Sequence, residues 1–410
     1  MSAANTEAAA TIRMVEARVE QLLREHPPAT TPEREFWGAQ YDLGLAWIHF
    51  PEGKGGLGID PGNQGIVDDL LIAAGAPFNL LRNMMGVGMA GPTLVAFGTE
   101  EQADPLLRPT FTCDVIWCQM FSEPGAGSDV ATLSTRAVRD GDEWVVNGQK
   151  VWTSMAHVAQ WGLLIVRTDP DVPKHQGLTY FYLDMSSPGV DVRPLRQMTG
   201  EAEFNEVFFD NVRIPDSQRI GPVGGGWKVA IGTLMNERVM LGRVGKLEGQ
   251  DGGVIRHALR LWRETPESER DPVRRDRLAR LWIESEIVRL TMQRAEQARD
   301  QSTPGPEGSI GRLMVSEHQQ RAFELIVDLL GPEGMLISDY VMRRPELIGE
   351  TALGADDKVD LQKGFLTTRG STIGGGTTEI SRNILGERVL GLPKEPAPDA
   401  QLPWSQIPRS

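Results

Sequence analysis

The sequence predicts an α+β multi-domain chain in which a helical region, an antiparallel β-region and a second helical region follow one another. Three observations carry this. Residues 11–25 set Ile12, Val15, Val19, Leu22 and Leu23 near helical spacing, with charged residues opposite. From about 114 to 215, short β-prone runs alternate with tight-turn signals. Beyond about 225 the long amphipathic stretches return. A length of 410 residues also exceeds one ordinary core.

Taken in order, the helical start is interrupted by Pro51-Glu-Gly-Lys-Gly-Gly-Leu-Gly-Ile-Asp-Pro61, a glycine-rich connection. No strand leads into it and no Gly-Lys-Ser/Thr closes it, so it does not read as a phosphate loop. Thr99-Glu-Glu-Gln102 opens a last short helix. Strands are expected at Val115–Phe121, Glu143–Val146, Trp161–Val166, Leu178–Leu183 and Glu206–Phe209. Asp140-Gly141 and Asn147-Gly148 read as hairpin turns around the second of them. Closely spaced strands of this kind favour antiparallel pairing over βαβ crossovers. Helices are then expected over 226–248, 252–263, 271–300, 309–330 and 375–389, with Gly331-Pro-Glu-Gly334 ending the fourth. Segments 264–271 and 301–308 are polar linkers, and the proline-rich end from Pro393 is expected to be extended.

The formal net charge of −14, from 56 acidic and 42 basic residues, argues against a nucleic-acid surface. It leaves room for a phosphorylated small ligand. Two cysteines, Cys113 and Cys118, lie in an apolar stretch and read as buried thiols. They exclude a disulfide scaffold, and no metal-ligand spacing accompanies them. With neither a signal pattern nor a membrane-length apolar run, a cytoplasmic protein with no membrane partner is expected.

Two motifs carry chemistry. In Gln119-Met-Phe-Ser-Glu-Pro-Gly-Ala-Gly-Ser-Asp129 a strand ends in a loop too glycine-rich to carry bulk. Gly125 and Gly127 let the backbone approach a ligand and aim N–H groups at it, while Ser122 and Ser128 add hydroxyls. Alone, Gly-Ala-Gly-Ser fits a plain turn as well. Asn147-Gly-Gln-Lys-Val-Trp-Thr-Ser154 sets Trp152, Thr153 and Ser154 at a strand end, where an indole plane suits one side of a flat ring. Trp152 as a core aromatic is the plainer alternative. Together with Gly91-Pro-Thr-Leu94, Met198-Thr-Gly-Glu-Ala-Glu-Phe-Asn-Glu206 and the stretch 372–392, these motifs resemble the acyl-CoA dehydrogenase family over roughly residues 35–392.

The resemblance implies an N-terminal helical domain (1–113), a middle antiparallel β-domain (114–220), a C-terminal four-helix bundle (221–392) and a tail (393–410). It implies FAD as cofactor and an acyl-CoA thioester as substrate, which gives an α-proton to a base and a β-hydride to flavin N5. Gln119, Phe121, Ser122, Gly127, Ser128, Trp152, Thr153 and Ser154 would meet the flavin, and Ser128 also the pantetheine arm. Gly331, Thr377 and Glu379 would meet the rest of the cofactor. For Thr377 and Glu379, helix capping and a solvated acid are the alternative.

The base is where this sequence departs from its relatives. In many of them it is a Glu just before a Gly-Thr pair, but in Ile373-Gly-Gly-Gly-Thr-Thr-Glu-Ile380 that position is Gly375. Gly375 can offer an N–H to the thioester oxygen; it cannot take a proton. A minority of the family places the base on another helix just before an Arg, and Met235-Asn-Glu-Arg238 matches that pattern. The helix supports this independently. Ala230, Leu234, Glu237, Leu241 and Val244 form one stripe, so Glu237 interrupts an apolar face and has no basic residue three or four positions away. The plainer reading puts Glu237 at the stripe's edge, solvated or paired across an interface. Arg238, about 100° round the helix, is implied to lie near the substrate or to be an ordinary surface residue.

A second departure concerns assembly. The linker Thr265–Pro272 lacks the Arg-x-x-Phe-Gly run with which many relatives reach a neighbouring subunit's FAD, and Asp328 stands where Gln is common. The pattern is similar to bacterial members that act on bulky, steroid-derived thioesters as mixed tetramers. The expected partners are therefore an acyl-CoA, an electron-transfer flavoprotein and other subunits in a homo- or hetero-oligomeric dimer of dimers. Two alternatives stay open: a non-catalytic, half-site subunit, and a flavin oxidase or monooxygenase on the same scaffold.

Overall fold

A computed structural model describes residues 3–249, 253–299, 307–337, 341–346 and 360–407; within these, the side chains of 3–6, 238, 239, 241–249, 295–299, 307 and 308 lie outside the description. The expected linker 301–308 therefore falls almost wholly outside it.

The N-terminal region holds α1 (Ala3–Glu25), α2 (Glu33–Asp42), α3 (Gln64–Ala73), α4 (Gly91–Phe97) and α5 (Glu100–Phe111). Val15, Val19 and Leu22 of the α1 stripe are buried, whereas Ile12 stays exposed. Thr99 caps α5 as its sequence implies: its backbone N–H donates to Gln102 Oε1 (2.9 Å), and its hydroxyl accepts from Gln102 N (3.4 Å). The glycine-rich connection folds back on residues 46–50, with Ala46 and Trp47 N–H groups donating to Gly55 O. A Cβ on Gly56 would stand 2.1 Å from Phe50 O, so close backbone approach explains that glycine without any ligand.

The β-region holds β1 (Trp117–Met120), β2 (Arg136–Asp140), β3 (Glu143–Ser154), β4 (Trp161–Arg167), β5 (Leu178–Asp184), β6 (Val190–Pro194), β7 (Phe204–Pro215) and β8 (Arg219–Ile220), in the order β6-β7-β3-β2-β4-β5-β8 with β1 beside β4. Pairing is antiparallel throughout except that β1, and one residue of β2, run parallel to β4, so the sheet is mixed. The β2–β3 hairpin lies between β1 and β4 in sequence and gives the long return that parallel pairing needs. Asp140-Gly141 forms that hairpin's turn, with Gly141 at φ +63°. Asn147-Gly148 does not turn. β3 runs straight through it with a register shift against β7 between Val146 and Gly148, because β7 offers unbroken partners on both sides. A Cβ on Gly148 would meet Thr135 Oγ1 at 2.5 Å.

The C-terminal region holds α6 (Gly226–Gly249), α7 (Ile255–Glu264), α8 (Pro272–Arg299), α9 (Glu307–Leu330), α10 (Leu361–Thr367) and α11 (Thr378–Arg388). α7, α8, α10 and α11 all pack on α9, while α6 packs on the N-terminal helices and the sheet. Gly331, at φ +59°, ends α9. α10 was not expected; Asp360 caps it by accepting from the Gln362 and Lys363 N–H groups. α11 starts at Thr378 rather than 375, because Gly375 and Gly376 take positive φ. The tail returns to the β-region: Trp404 N–H donates to Val172 O, its indole to Thr132 O, and the Arg167 guanidinium lies 4.7 Å from its ring.

Both cysteines are buried and free, and burial pushes the Cys113 thiol up to about 12. Among the described residues no helix is long and apolar enough to cross a membrane.

Candidate active site

β1 carries Gln119, half-buried, and runs into Phe121, whose ring enters the core edge-on to Tyr180 at 5.8 Å. Phe121 therefore presents only backbone to a ligand, and its carbonyl is already taken by Lys150 Nζ at 3.0 Å. Ser122 is half-buried, and its carbonyl accepts from Val151 N–H at 2.9 Å. That bond joins the two sequence motifs side by side. Gly125, Gly127 and Ser128 are exposed beyond it, and a Cβ on either glycine would meet nothing within 4 Å. Space thus does not require glycine here. Asp129 closes the loop through Lys174 at 2.6 Å.

Beneath this loop lies a pair that the sequence reading did not single out. Lys150, fully buried, meets the Glu123 carboxylate at 2.8 Å, and Glu123 also accepts from the Ser134 and Thr135 N–H groups. Burial alone would raise the Glu123 carboxyl, but the Lys150 charge and these hydrogen bonds outweigh it and hold the group below its ordinary range.

On β3 the register slips again between Lys150 and Thr153, and Trp152 takes φ +59°. The slip throws the indole outward: Trp152 is 58% exposed, edge-on to Phe204 at 5.7 Å. It is not a core aromatic. Thr153 points inward, and its buried Oγ1 has no hydrogen-bond partner among the described residues. Ser154 is half-buried. Asn205 props the bulge from below, donating to Thr153 O at 3.1 Å. Its Oδ1 accepts from Arg344 at 2.8 Å, which fixes the amide so that Nδ2 faces His157 Nδ1 at 3.2 Å. His157 therefore carries its proton on Nε2 and donates it to Pro345 O at 2.9 Å. Burial lowers the His157 pKa, with Arg344 adding to the effect and the Pro345 bond opposing it. Glu203, whose carbonyl accepts from Met155 N–H, has its carboxyl raised by burial, which Gln197 partly offsets.

The second group of residues sits on the C-terminal helices. Glu237 is half-buried on α6, between Thr233 and Met240, both buried. Thr233 Oγ1 meets Thr93 Oγ1 at 2.9 Å, and a Cβ on Gly88 would strike Met240 Sδ, so this face is pressed onto the N-terminal helices. Arg312 of α9 donates to the Gly374 carbonyl; burial lowers its pKa, and the Glu237 charge works against that. Gly374 belongs to the turn that carries Gly375, which is exposed at φ +68°. Thr377 caps α11 by accepting from Ile380 N–H (3.2 Å), and Glu379 is solvated in its first turn, near Arg382. The Arg238, Leu241 and Val244 side chains lie outside the described residues.

The structure brings the two β-motifs together, the end of β1 lying beside the β3 bulge through the Val151–Ser122 bond. Gly331 does not join the second group, since it lies 19 residues along α9 from Arg312, about 28 Å of helix. Asp328, near it, is ion-paired with Arg277 of α8. Among the described residues no cluster of three or more His, Cys, Asp or Glu could hold a metal.

Family models for the acyl-CoA dehydrogenase N-terminal, middle and C-terminal domains match residues 6–114, 118–212 and 224–390. Acyl-CoA dehydrogenase FadE34 of Mycobacterium tuberculosis is 38% identical over 368 residues, covering 89% of this chain; the chain spans about half, 47%, of that relative's length. Acyl-CoA dehydrogenase IpdE1 of the same organism is 37% identical over 376 residues, covering 91% of each. A solved structure described as the Tcur3481-Tcur3483 steroid ACAD superposes with a TM-score of 0.70 at 27% identity, over 94% of this chain and 98% of that one.

Proposed function

We propose, for a chain that belongs to the acyl-CoA dehydrogenase family, α,β-dehydrogenation of an acyl-CoA thioester with Glu237 as the base that takes the α-proton. One observation carries the assignment: Glu237 stands half-buried on a helix face between Thr233 and Met240, both buried, while Arg312 of α9 donates to Gly374 in the turn that carries Gly375. A partly desolvated carboxylate suits proton abstraction, and the turn's Gly375 N–H is the donor we assign to the thioester oxygen.

The cofactor in this reading is FAD, which when bound supplies the hydride acceptor. An exposed indole on a strained bulge, beside a buried threonine hydroxyl with no partner among the described residues, fits a planar ring with a polar edge. Trp152, Thr153, Ser154, Gln119, Ser122 and the Phe121 backbone would hold that ring, with Gly127 and Ser128 beyond it. Gly331, Thr377 and Glu379 would serve the remainder of the cofactor, and Ser128 and Arg238 the substrate. The division at 113, 220 and 392 is kept as the domain plan, since helices give way to strands and strands to helices near the first two positions.

A bulky, steroid-like acyl group is the substrate class we favour, supported by the glycine run 374–376 and by the steroid ACAD relative. An electron-transfer flavoprotein would reoxidise the enzyme. That relative's name joins two proteins, which favours a mixed dimer of dimers here. A half-site subunit is the second reading, favoured by the Arg277–Asp328 pair and by the absence of an Arg-x-x-Phe-Gly run from Thr265–Pro272.

The deciding experiment is native mass together with flavin absorbance and anaerobic bleaching by an acyl-CoA. Bleaching of the purified chain supports the enzyme; a colourless chain that acquires flavin only with a partner supports the half-site reading.

A further inference from the structure

Among residues 393–407 only Trp404 is buried, so one side chain seats this stretch. Its backbone N–H donates to Val172 O at 2.9 Å and that of Ser405 to Pro170 O at 2.8 Å, both in the loop that joins β4 to β5. The indole N–H crosses to a different loop and meets Thr132 O at 3.1 Å. That second loop is the one that carries Gly125-Ala-Gly-Ser128. Arg167, 2% exposed with its guanidinium 4.7 Å from the Trp404 ring, joins the same two loops. It donates to Ala131 O (2.5 Å) and Leu133 O (3.4 Å) in one, and to Lys174 O (2.8 Å) in the other. Three consecutive carbonyls, those of Ala131, Thr132 and Leu133, are thus held by Arg167 and Trp404. The β4–β5 loop is itself seated on α6, where His175 lies against Trp227 at 4.7 Å.

This hold bears on the span in front of it. Ala126 exchanges backbone hydrogen bonds with Glu123 in both directions, at 3.0 Å each, and Asp129 is joined to Lys174. Gly127 and Ser128 lie between, both exposed. The Asp129 side chain is half in solvent, so its ion pair holds little by itself, and the buried contacts at 131–133 fix the far end of the span. Glycine loses more backbone freedom on ordering than any other residue. A loop ordered only when its ligand arrives subtracts that cost from affinity; a loop ordered beforehand does not.

We infer that Trp404 is a positioning residue: with Arg167 it clasps residues 131–133 and so presets Gly127 and Ser128 for the pantetheine arm of a CoA thioester. The inference rests on the reading of that loop as a thioester contact, and it adds the part of the chain that keeps the loop in shape. Trp404 lies past residue 390, so the clasp stands outside the match to the family's C-terminal domain.

The test uses Trp404→Ala and Trp404→Phe in the full chain in its native assembly, with free coenzyme A as the probe, since it carries the arm without an acyl group. Hydrogen exchange at the Thr132 and Leu133 amides, bonded to Asp129 O and Val130 O, reads the loop without ligand. Calorimetry reads the Kd for coenzyme A. Trp404→Ala is expected to speed exchange at those amides about tenfold and to weaken coenzyme A roughly five- to tenfold. Trp404→Phe keeps a ring over Arg167 and should recover most of both losses. Equal losses in the two variants overturn the part given to Arg167. Unchanged exchange in Trp404→Ala overturns the clasp, and faster exchange with an unchanged Kd overturns its bearing on the ligand. A wild-type chain that ignores coenzyme A sinks the reading of the loop as a thioester contact instead, and the exchange result then decides the clasp by itself.

Discussion

Lys150 and Glu123 stand 2.8 Å apart inside the β-region, and between them they fasten three stretches of chain: the Phe121 carbonyl, the Ser134 and Thr135 N–H groups, and β3. The strand end that meets the bulge is thus held by a buried charge, not by the glycine loop beyond it. Replacing Lys150 by Met leaves Glu123 buried and unpaired and is expected to cost about 3–5 kcal/mol. The double variant Lys150→Met/Glu123→Gln should cost less than the sum of the single changes. Thermal unfolding midpoints of the three variants decide the matter. Because the folded-state Glu123 pKa is depressed, its contribution is present above the ordinary carboxylate range and fades as pH falls below about 4.

Glu237→Gln removes the proton acceptor without changing shape. Turnover is expected to fall by about 10²–10⁴-fold with an unchanged unfolding midpoint and retained flavin absorbance. Glu203→Gln is the control, since Glu203 is a carboxyl beside the bulge that burial raises. Its turnover should stay within a few-fold. A silent Glu237→Gln with a dead Glu203→Gln would exchange their roles.

Trp152 is exposed and holds little of the fold together, so Trp152→Ala should leave the unfolding midpoint almost unchanged. Loss of one stacked face should weaken flavin retention roughly three- to tenfold, read as flavin released on dilution. Wild-type retention would remove the indole from the cofactor's surroundings.

His157 predicts a separate acid sensitivity. Its folded-state pKa is lowered, so below about 6.5 the unfolded chain takes up a proton that the folded chain refuses, and stability falls with pH from there. The protonated ring would also turn a second N–H against the Asn205 amide. Midpoints followed from pH 8 to 5.5 should drop in the wild type and drop less in His157→Gln.

Trp404 docks a tail that the sequence reading left extended. In Trp404→Ala the amides of 404–407 should exchange roughly tenfold faster or more, with the sheet beneath unaffected. Unchanged exchange would mean that the proline frame, not the indole, seats the tail.

Local signals were readable from sequence and pairings distant along the chain were not. The α1 stripe from Val15 to Leu22, the Thr99 capping box and the Asp140-Gly141 turn each depend on residues within a few positions of one another, and each formed as expected. Asn147-Gly148 carried the same local signal yet became a bulge, because β7 supplied partners past it. Glu123 and Lys150 sit in the two motifs that were singled out, but nothing along the chain joins residues 27 positions apart.

Lys363 of α10 reaches Glu201 at 3.0 Å, with both side chains buried, and Arg343 and Arg344 bond to Ala202 and Asn205 nearby. The surface that displays Trp152 is therefore riveted from behind by chain lying well over a hundred residues downstream. A β-region severed from that downstream chain would still have the strand pairings to close its sheet, but would lose the buttress that keeps the bulge in shape. The scaffold and its display face are in this sense completed at different times as the polypeptide emerges, and the display face is finished last.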